Sequence, residues 1–365
     1  MAREQRPGGL RRLPDRIRGI LRVARRIYYE RSNAQRLNID QIERTMLYSF
    51  YRKAAADLGL DIYEIGQALC IAGRGKRFRI WGCSTDLDTS PLYMITEDKL
   101  LVTTLFREHG IAVPEGRAFD WRDRKAGVQY ALSLGRPSVI KPARETSNGK
   151  GVSVQLTRRS DIAQAFRFAG LFAPLVLVEE FIPGDNYRFL IYKGKCLSVL
   201  RRELPTVTGD GVSTVRELAE AENRNRIQSS EWQEGDQLWI PMPINAAASR
   251  YLKRKGLHLN SVPKQGEEVQ LAGASNLAYG TTYAEVIDAI HPEQIRAAIK
   301  AAEVLGMAIA GVDIISPDID APGYHVLEIN VSPGLEAHYL LRNPEAMRDP
   351  IRTILTDYFE IVSLR

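Results

Sequence analysis

Residues 310–330 read AGVDIISPDIDAPGYHVLEIN. Two apolar, β-branched runs flank a segment rich in Pro, Asp and Gly, which predicts an antiparallel hairpin. If the turn is centred between Asp320 and Ala321, Asp313 lies opposite Glu328. Glu328 and Asn330 then share a face, because strand side chains alternate with a period of two. Three oxygen donors are thus predicted to converge among apolar neighbours.

These three donors need a partner, because a carboxylate buried without one is energetically expensive. A cation is the simplest partner, and oxygen-only ligands suit Mg²⁺, which keeps waters and substrate phosphates as its other ligands. Mn²⁺ is an alternative ion, and ion pairs with lysine or arginine are the competing interpretation. We predict Asp313, Glu328 and Asn330 as metal ligands.

A small polar loop lies upstream, between the β-rich runs Ser138 to Lys141 and Val152 to Leu156. Its glycines would let backbone N–H groups approach phosphate oxygens closely, and Lys141 or Lys150 can supply positive charge. The Walker pattern is absent, and a strand rather than a helix follows the loop. The loop therefore predicts phosphate binding, with a plain hairpin turn as the alternative.

The run Leu175-Val-Leu-Val-Glu-Glu-Phe-Ile-Pro-Gly184 predicts a buried strand that ends in two carboxylates and a turn. Such a strand end can offer backbone groups to an adenine edge and carboxylates to amino or ribose hydroxyl groups. A strand that enters a solvated turn would have a similar sequence. The run is consistent with a nucleotide site without requiring one.

Composition narrows the class of protein. A length of 365 residues suggests two or three subdomains, and 44% hydrophobic with 26% charged residues is typical of a globular chain. Short strand-like and helix-like segments alternate, which predicts α/β or α+β layering. The apolar runs are far shorter than the ~20 residues of a membrane span. Three widely spaced cysteines match neither a disulfide framework nor a zinc pattern, which favours the cytoplasm.

The basic charge is concentrated in one segment. Residues 1–36 carry a net charge of +8 and the rest of the chain −2. A nearly neutral body argues against nucleic-acid binding. Residues 13–28 also show apolar positions at helical spacing. This segment predicts a basic amphipathic helix that docks on its own protein, with binding to an anionic membrane surface, a nucleic acid or an acidic partner as alternatives.

Taken in order, these motifs resemble the ATP-grasp superfamily and, within it, the ATP-grasp module of cyanophycin synthetases. The likeness runs from about Cys70 to Tyr339. It includes the segments 70–79, 85–90, 98–99, 110–116, 201–203, 209–215, 222–224, 261–267, 291–292 and 327–334. Many ordered matches make the resemblance specific, although no single one would.

The resemblance implies an ATP-grasp fold, in which two α+β subdomains grip ATP after a pre-ATP-grasp region. The expected divisions are a basic segment at 1–36, a pre-ATP-grasp domain at 37–97, a central subdomain at 98–185 and a C-terminal subdomain at 186–365. Residues 205–285 are expected to form an insertion that faces the substrate.

The resemblance also implies roles for individual residues. Arg201 and Arg202 would hold the substrate carboxylate or acyl phosphate, and the backbone N–H near Gly334 would stabilise an oxyanion. The residues expected to bind ATP are Lys99, Lys141, Thr146, Ser147, Asn148, Gly149, Gly151, Glu179, Glu180, Phe181, Ile182 and Asn186.

The activity implied is ATP-dependent ligation of a carboxylate to an amine through an acyl phosphate, with ADP and phosphate released. The substrates would be amino acids or peptides, ATP and Mg²⁺ the cofactors, and a homodimer is compatible with the family. The alternatives are an ATP-grasp phosphotransferase, or a non-catalytic nucleotide-binding module tethered by the basic segment.

Two departures from the family pattern bear on the substrate. Gly311 stands where D-alanine ligases carry an arginine, two residues before the metal aspartate, as it does in cyanophycin synthetases. The acceptor-side segment 280–288 departs from the cyanophycin synthetase pattern itself. Polymer synthesis is therefore not expected.

Overall fold

The computed structural model describes residues 39–144, 150–228, 241–273 and 280–361. The basic segment at 1–36 and four predicted loop residues, Thr146 to Gly149, lie outside these ranges. Among the described helices, none combines the length and the apolar character that crossing a bilayer requires.

The first structural unit is a helix packed on a four-stranded antiparallel sheet. Helix α1 (Ile39–Asp57) is followed by β1 (Asp61–Ile65), β2 (Ala68–Gly73), β3 (Lys76–Trp81) and β4 (Ser84–Thr85), which neighbour one another in that order. The helix ends shortly before Gly59, which adopts a φ of +66°. Its buried face presents Met46, Leu47 and Tyr51.

A second sheet follows two helices, α2 (Ser90–Thr96) and α3 (Lys99–Glu108). Strands β5 (Gly116–Asp120), β6 (Ser138–Pro142), β7 (Ser153–Leu156) and β8 (Leu175–Glu180) pair in the order β5-β8-β6-β7, all antiparallel. Helices α4 (Arg124–Ser133) and α5 (Arg159–Phe172) cover one face. Ile140, Phe166 and Val178 form the centre of that core.

A two-stranded ribbon with two helices interrupts the next sheet. Strands β9 (Asp185–Tyr192) and β10 (Lys195–Glu203) come first, and β11 (Thr206–Thr208) then pairs with β12 (Glu268–Gln270). Helices α6 (Val215–Gln228) and α7 (Ala246–Arg254) lie between the ribbon strands in sequence. Val207, Leu252 and Leu271 belong to a small separate core there.

The chain then completes a five-stranded sheet, called the central sheet here. Strand β13 (Thr282–Glu285), helix α8 (Pro292–Val304), strands β14 (Ile309–Ser316) and β15 (His325–Asn330) and helix α9 (Pro350–Tyr358) follow, with single-turn 3₁₀ helices at 287–289, 336–338 and 344–346. The strand order is β13-β10-β9-β14-β15. His291 caps α8 by accepting a hydrogen bond from the Glu293 amide, and Pro292 is the first residue of the helix.

The two faces of the central sheet differ in chemistry. Residues opposite one another in an antiparallel pair point to the same face, and next neighbours along a strand point to the other. Phe189, Val199 and Val312 lie on the face that packs against α3 and α8, called the helix face. Arg188 and Asp313 lie on the opposite face, called the cleft face. Where α1 and α9 cover this second face, it is apolar.

Candidate functional site

A cleft of ≈ 1290 Å³ lies between the second sheet, the central sheet and the β11–β12 ribbon. Most of the predicted site residues that the structure describes line it: Lys99, Lys141, Glu179, Glu180, Phe181, Ile182, Asn186, Arg201, Arg202, Asp313, Glu328 and Asn330. Of the described candidates, Gly151 and Gly334 are outside this lining.

The second sheet contributes a buried lysine to the cleft. The Nζ atom of Lys141 lies 2.7 Å from Oε2 of Glu179, and their side chains are 11% and 4% exposed. Both residues lie on one face, because Val139 pairs with Glu179 and Lys141 is two residues further along β6. The carboxylate holds the ammonium group at the strand end, where the predicted phosphate loop begins.

Gly151 closes the far side of that loop. Its φ is +80°, and a Cβ atom there would lie 2.7 Å from Pro142 and 2.8 Å from Phe172. Only glycine fits this backbone conformation and this space. The loop is therefore anchored at a fixed point, although Gly151 itself does not line the cleft.

At the strand end 179–182, two backbone amides that the prediction offered to an adenine edge are already hydrogen-bonded within the fold. The Phe181 amide donates to the Pro137 carbonyl at 2.8 Å, and the Glu180 amide donates to the Glu115 carbonyl at 2.9 Å. The Glu180 carboxylate accepts from the Glu115 amide at 2.8 Å and is ion-paired with Arg136. These side chains line the cleft, but those two amides are already used within the fold.

The hairpin has the predicted register at the cleft. Asp313 lies opposite Glu328 and Gly311 opposite Asn330, which confirms the pairing inferred from the sequence. Beyond Asp313 the register shifts by one residue, so that Ile314 pairs with Val326. The shift is a β-bulge, and it leaves the pairing on the cleft side unchanged.

Asp313 is ion-paired on both oxygens. It contacts Arg188 through two nitrogens, one of them at 3.0 Å, and Nη1 of Arg202 at 3.0 Å. Burial alone would raise the pKa of Asp313, but the two guanidinium groups outweigh it and hold the pKa below its ordinary value. In this structure the carboxylate therefore has the ion-pair partners that the sequence analysis weighed as the alternative to a metal.

The donor set nevertheless fits a Mg²⁺ ion. Glu328 is 35% exposed, with Nζ of Lys99 at 3.5 Å, and Asn330 donates from Nδ2 to the Gly311 carbonyl at 3.3 Å, which leaves its Oδ1 as an acceptor. All donors are hard oxygens, the ligands that Mg²⁺ prefers. Asp313 would exchange an arginine contact for the ion. No cluster of three His, Cys, Asp or Glu side chains suitable for a metal occurs within the described ranges.

Arg201 and Arg202 were predicted to act together, and the structure separates them. Neighbouring residues on a strand point to opposite faces. Arg202 reaches Asp313, whereas Nη2 of Arg201 donates to Oε1 of Glu203 at 2.8 Å. The same Oε1 lies 3.0 Å from Nη2 of Arg342. The two arginine pairs, each sharing one carboxylate, therefore lie on opposite faces of β10, although residues of both line the cleft.

Gly334 lies directly over a buried carboxylate. A Cβ atom at position 334 would clash with the carboxylate of Glu336, so a side chain there would require that carboxylate to move. Glu336 is 5% exposed, and burial raises its pKa to about 7. Its Oε2 has no hydrogen-bond partner among the described residues.

A buried hydrogen-bond chain lies beneath this turn. Ser198 donates from Oγ to Glu285, and its oxygen lies 2.6 Å from Nδ1 of His338. Because the single proton of the hydroxyl is used in the hydrogen bond to Glu285, the imidazole must donate from Nδ1. Burial, with the charges of Arg188 and Arg202 adding to it, lowers the pKa of His338 to about 3. The imidazole is neutral and 2% exposed.

Sequence reasoning missed Arg188. The signal was present in β9, which reads DNYRFLIY, because Asn186 and Arg188 alternate with Tyr187 and Phe189. This alternation indicates a strand with one polar face. Gly311 is the second signal: a Cβ atom there would lie 3.0 Å from Nη1 of Arg188 and 2.9 Å from Pro333. The guanidinium of Arg188 occupies the space that a side chain at 311 would need.

The chain is similar in sequence to known ATP-grasp proteins. Residues 264–342 match the RimK-like ATP-grasp domain family. The chain is 32% identical over 272 residues to the glutathione biosynthesis bifunctional protein GshAB of Streptococcus mutans, covering 72% of this chain and 35% of that protein. It is 30% identical over 247 residues to the cyanophycin synthetase of Geminocystis herdmanii, covering 66% of this chain and 28% of the relative.

A solved structure shows the same fold. The bifunctional glutathione synthetase of Pasteurella multocida superposes with a TM-score of 0.58 at 24% identity, covering 86% of this chain and 44% of that one. The chain spans about a third of the length of the curated relatives that it matches. Together with the predicted motifs and their order, these matches show that the chain belongs to the ATP-grasp superfamily.

Proposed function

We propose that this protein is an ATP-dependent carboxylate–amine ligase that forms an amide through an acyl phosphate and releases ADP and phosphate. One observation carries the proposal: Lys141 of the second sheet and Lys99 of α3, which lies 3.5 Å from Glu328, line the same cleft as the oxygen-donor hairpin of the central sheet. Positive charge beside metal-type donors in one cleft suits a bound nucleoside triphosphate.

Each proposed role follows from charge and position. Lys99 and Lys141 would neutralise the phosphates of ATP, and Asp313, Glu328 and Asn330 would hold Mg²⁺, which supplies further charge neutralisation when bound. A substrate carboxylate oxygen attacks the γ-phosphorus, the bond to the bridging oxygen breaks, and ADP leaves. Arg202 lies beside Asp313 and would offset the negative charge of the acyl phosphate.

The second half-reaction forms the carbon–nitrogen bond. The amine nitrogen attacks the acyl carbon, the turn at Gly334 is proposed to stabilise the oxyanion, and phosphate leaves as the amine loses a proton. Because phosphate is a good leaving group, this chemistry requires positioning and charge neutralisation more than a dedicated base. His338, buried and neutral, is not required as one.

The proposed setting is a cytoplasmic enzyme acting on amino acids or peptides. The names of the relatives refer to glutathione biosynthesis and cyanophycin, which supports substrates with several carboxylates and amines. We propose that residues 98–185 and 186–365 are the two parts that grip ATP.

A product-resolved screen tests the proposal. Pairs of amino acids and short peptides are incubated with ATP and Mg²⁺, ADP release is followed, and products are analysed by mass spectrometry. We expect ADP only when an acid and an amine are both present, with a product lighter by one water than their sum. ADP release with a phosphorylated product and no new amide would instead support the phosphotransferase.

A further inference from the structure

The turn at residues 332–334, which carries Gly334, is held by the first structural unit of the chain. The Ser332 amide donates a hydrogen bond to Oδ1 of Asp88 at 3.2 Å. The hydroxyl oxygens of Ser332 and Ser84 lie 3.0 Å apart. Asp88 belongs to the segment 85–90, which resembles the family and has no role in the chemistry above.

The carboxylate of Asp88 is fixed on its other side by its own loop. Its Oδ2 accepts hydrogen bonds from the Thr85 amide at 2.6 Å and from the Thr85 hydroxyl at 3.2 Å. The Asp88 amide donates in return to the Thr85 carbonyl at 3.1 Å. One carboxylate oxygen therefore closes a local turn, and the other accepts from Ser332.

Ser332 has a backbone conformation that serine adopts rarely. Its φ is +51°, in the left-handed region, whereas a residue before a proline normally prefers an extended backbone. Such a conformation persists where the surrounding structure enforces it, and the contacts with Asp88 and Ser84 do so here. These contacts therefore set the direction in which the chain continues from β15 into the turn.

The rest of the turn is held by close packing. A Cβ atom at position 311 would lie 2.9 Å from Pro333, so this proline packs directly on Gly311 of the hairpin. Leu335 is 2% exposed and lies in the core that α1 and α9 share with the central sheet. The turn is thus fixed at both ends, and its first residue depends on Asp88.

We propose that Asp88, supported by Ser84, is a positioning residue for amide formation, which holds the turn 332–334 where Gly334 can stabilise the oxyanion. The inference rests on the proposed ligase function. Stabilisation of an oxyanion requires donors that are already in place where the charge develops, and small displacements weaken it strongly. Phosphoryl transfer from ATP does not use this turn. Loss of Asp88 should therefore slow the attack of the amine more than the formation of the acyl phosphate.

A slower attack has a measurable consequence, because water also attacks an acyl phosphate. The water oxygen bonds to the acyl carbon, phosphate leaves and the free acid is regenerated, so ATP is converted into ADP and phosphate without an amide. The number of ADP molecules released per amide formed measures this loss. The ratio does not depend on how much of the enzyme is folded, so it remains valid for a destabilised variant.

Variants at Asp88 test the proposal with the acid and the amine found in the product screen. The native enzyme should release about one ADP per amide. Asp88→Ala should form the amide about 10–100-fold more slowly and release several ADP per amide, with the KM for ATP within about twofold of native. Asp88→Asn should give an intermediate ratio, because its amide oxygen can still accept from Ser332. Ser84→Ala should raise the ratio by a smaller amount.

Asp86→Ala is the matched control. It removes a carboxylate of the same loop that pairs with the exposed Arg79 at 3.0 Å, and it should keep about one ADP per amide. Equal losses of ADP release and amide formation in Asp88→Ala, or native values of both, would overturn the role of Asp88 and leave the ligase intact. So would an equal rise of the ratio in Asp86→Ala. Absence of an amide from the native enzyme with every pair of substrates would overturn the ligase itself.

Discussion

The helix face and the cleft face of the central sheet are made by alternate residues of the same strands. Tyr187 and Phe189 pack against α8, and Arg188 between them points at Asp313. On the helix face the side chains are fixed by apolar packing, and on the cleft face by shared charges. Neighbouring residues of one strand therefore serve different purposes: those on the helix face stabilise the fold, and those on the cleft face are placed for chemistry. Substitutions on each face, measured for both stability and activity, test this division.

The largest expected effect is on the cleft face. Glu328→Ala should reduce ADP formation by about 10²–10³-fold or more, because it removes a proposed metal ligand. The fold should remain within about 1 kcal/mol of the native stability, since Glu328 is partly exposed and its ion pair with Lys99 is long. The exposed Glu345→Ala serves as the control for ADP formation and thermal unfolding. Near-native turnover of the variant at millimolar Mg²⁺ would show that Glu328 is not a metal ligand.

Asp313→Ala should lose activity and stability together. It leaves Arg188 and Arg202 without their shared carboxylate, and an uncompensated buried charge typically destabilises by about 3–5 kcal/mol. The two substitutions should therefore have similar effects on activity and different effects on stability. Denaturant unfolding of the two variants measures that difference.

The next effect lies on the helix face. Phe189→Ala should lower the free energy of unfolding by about 3–5 kcal/mol, because the side chain is fully buried between Val199 and Val312. The folded fraction should keep kcat within a fewfold of native. Urea unfolding and activity per folded molecule are the two measurements. A selective loss of kcat without a stability change would show that the two faces are not separate.

A smaller effect depends on pH and concerns Glu336. Its pKa is about 7 in the folded protein and 4.5 ordinarily, so the folded state favours the protonated form. The stability contributed by this preference is present below pH 4.5 and lost as the pH rises through 7. Glu336→Gln should match native stability near pH 4.5 and exceed it by up to about 3 kcal/mol at pH 8. Parallel stability–pH curves for both proteins would contradict the assignment.

The smallest expected effect concerns the contact between Gly311 on β14 and Arg188 on β9. Gly311→Ala adds a methyl group that must displace the guanidinium of Arg188 and press on Pro333. Because Arg188 is flexible at its end, we expect about 1 kcal/mol of destabilisation and a severalfold loss of ADP formation. In a double-mutant cycle, the destabilisation of the double variant Arg188→Lys, Gly311→Ala should be smaller than the sum of the two single effects.

Much of the hairpin could be predicted because its determinants are local. Alternation and a short turn leave few registers open to residues 310–330, and the correct one pairs Asp313 with Glu328. The bulge after Asp313 depends on backbone detail that the residue pattern does not specify. Loop residues 145–149 stay a prediction, because they lie outside the described part of the chain.

The arginines and the buried network were harder to predict. The adjacent pair Arg201 and Arg202 suggests a common role, yet alternation on β10 gives them different carboxylates. Ser198 contacts Glu285 and His338 across 87 and 140 residues of sequence. No local pattern connects such distant positions, and the sequence around His338 does not indicate that its side chain is buried.

The buried chain of Ser198, Glu285 and His338 bears on how active sites are recognised. A search for serine, histidine and carboxylate within hydrogen-bond reach would report a hydrolase triad here. In such a triad the histidine stands in the middle and removes the serine proton. Here the serine stands in the middle, donates a hydrogen bond to the glutamate, accepts one from the histidine, and is fully buried. Ser198 therefore has no histidine to act as its base and no access to a substrate, so the order of the three residues and their burial together make them inert as a nucleophilic device.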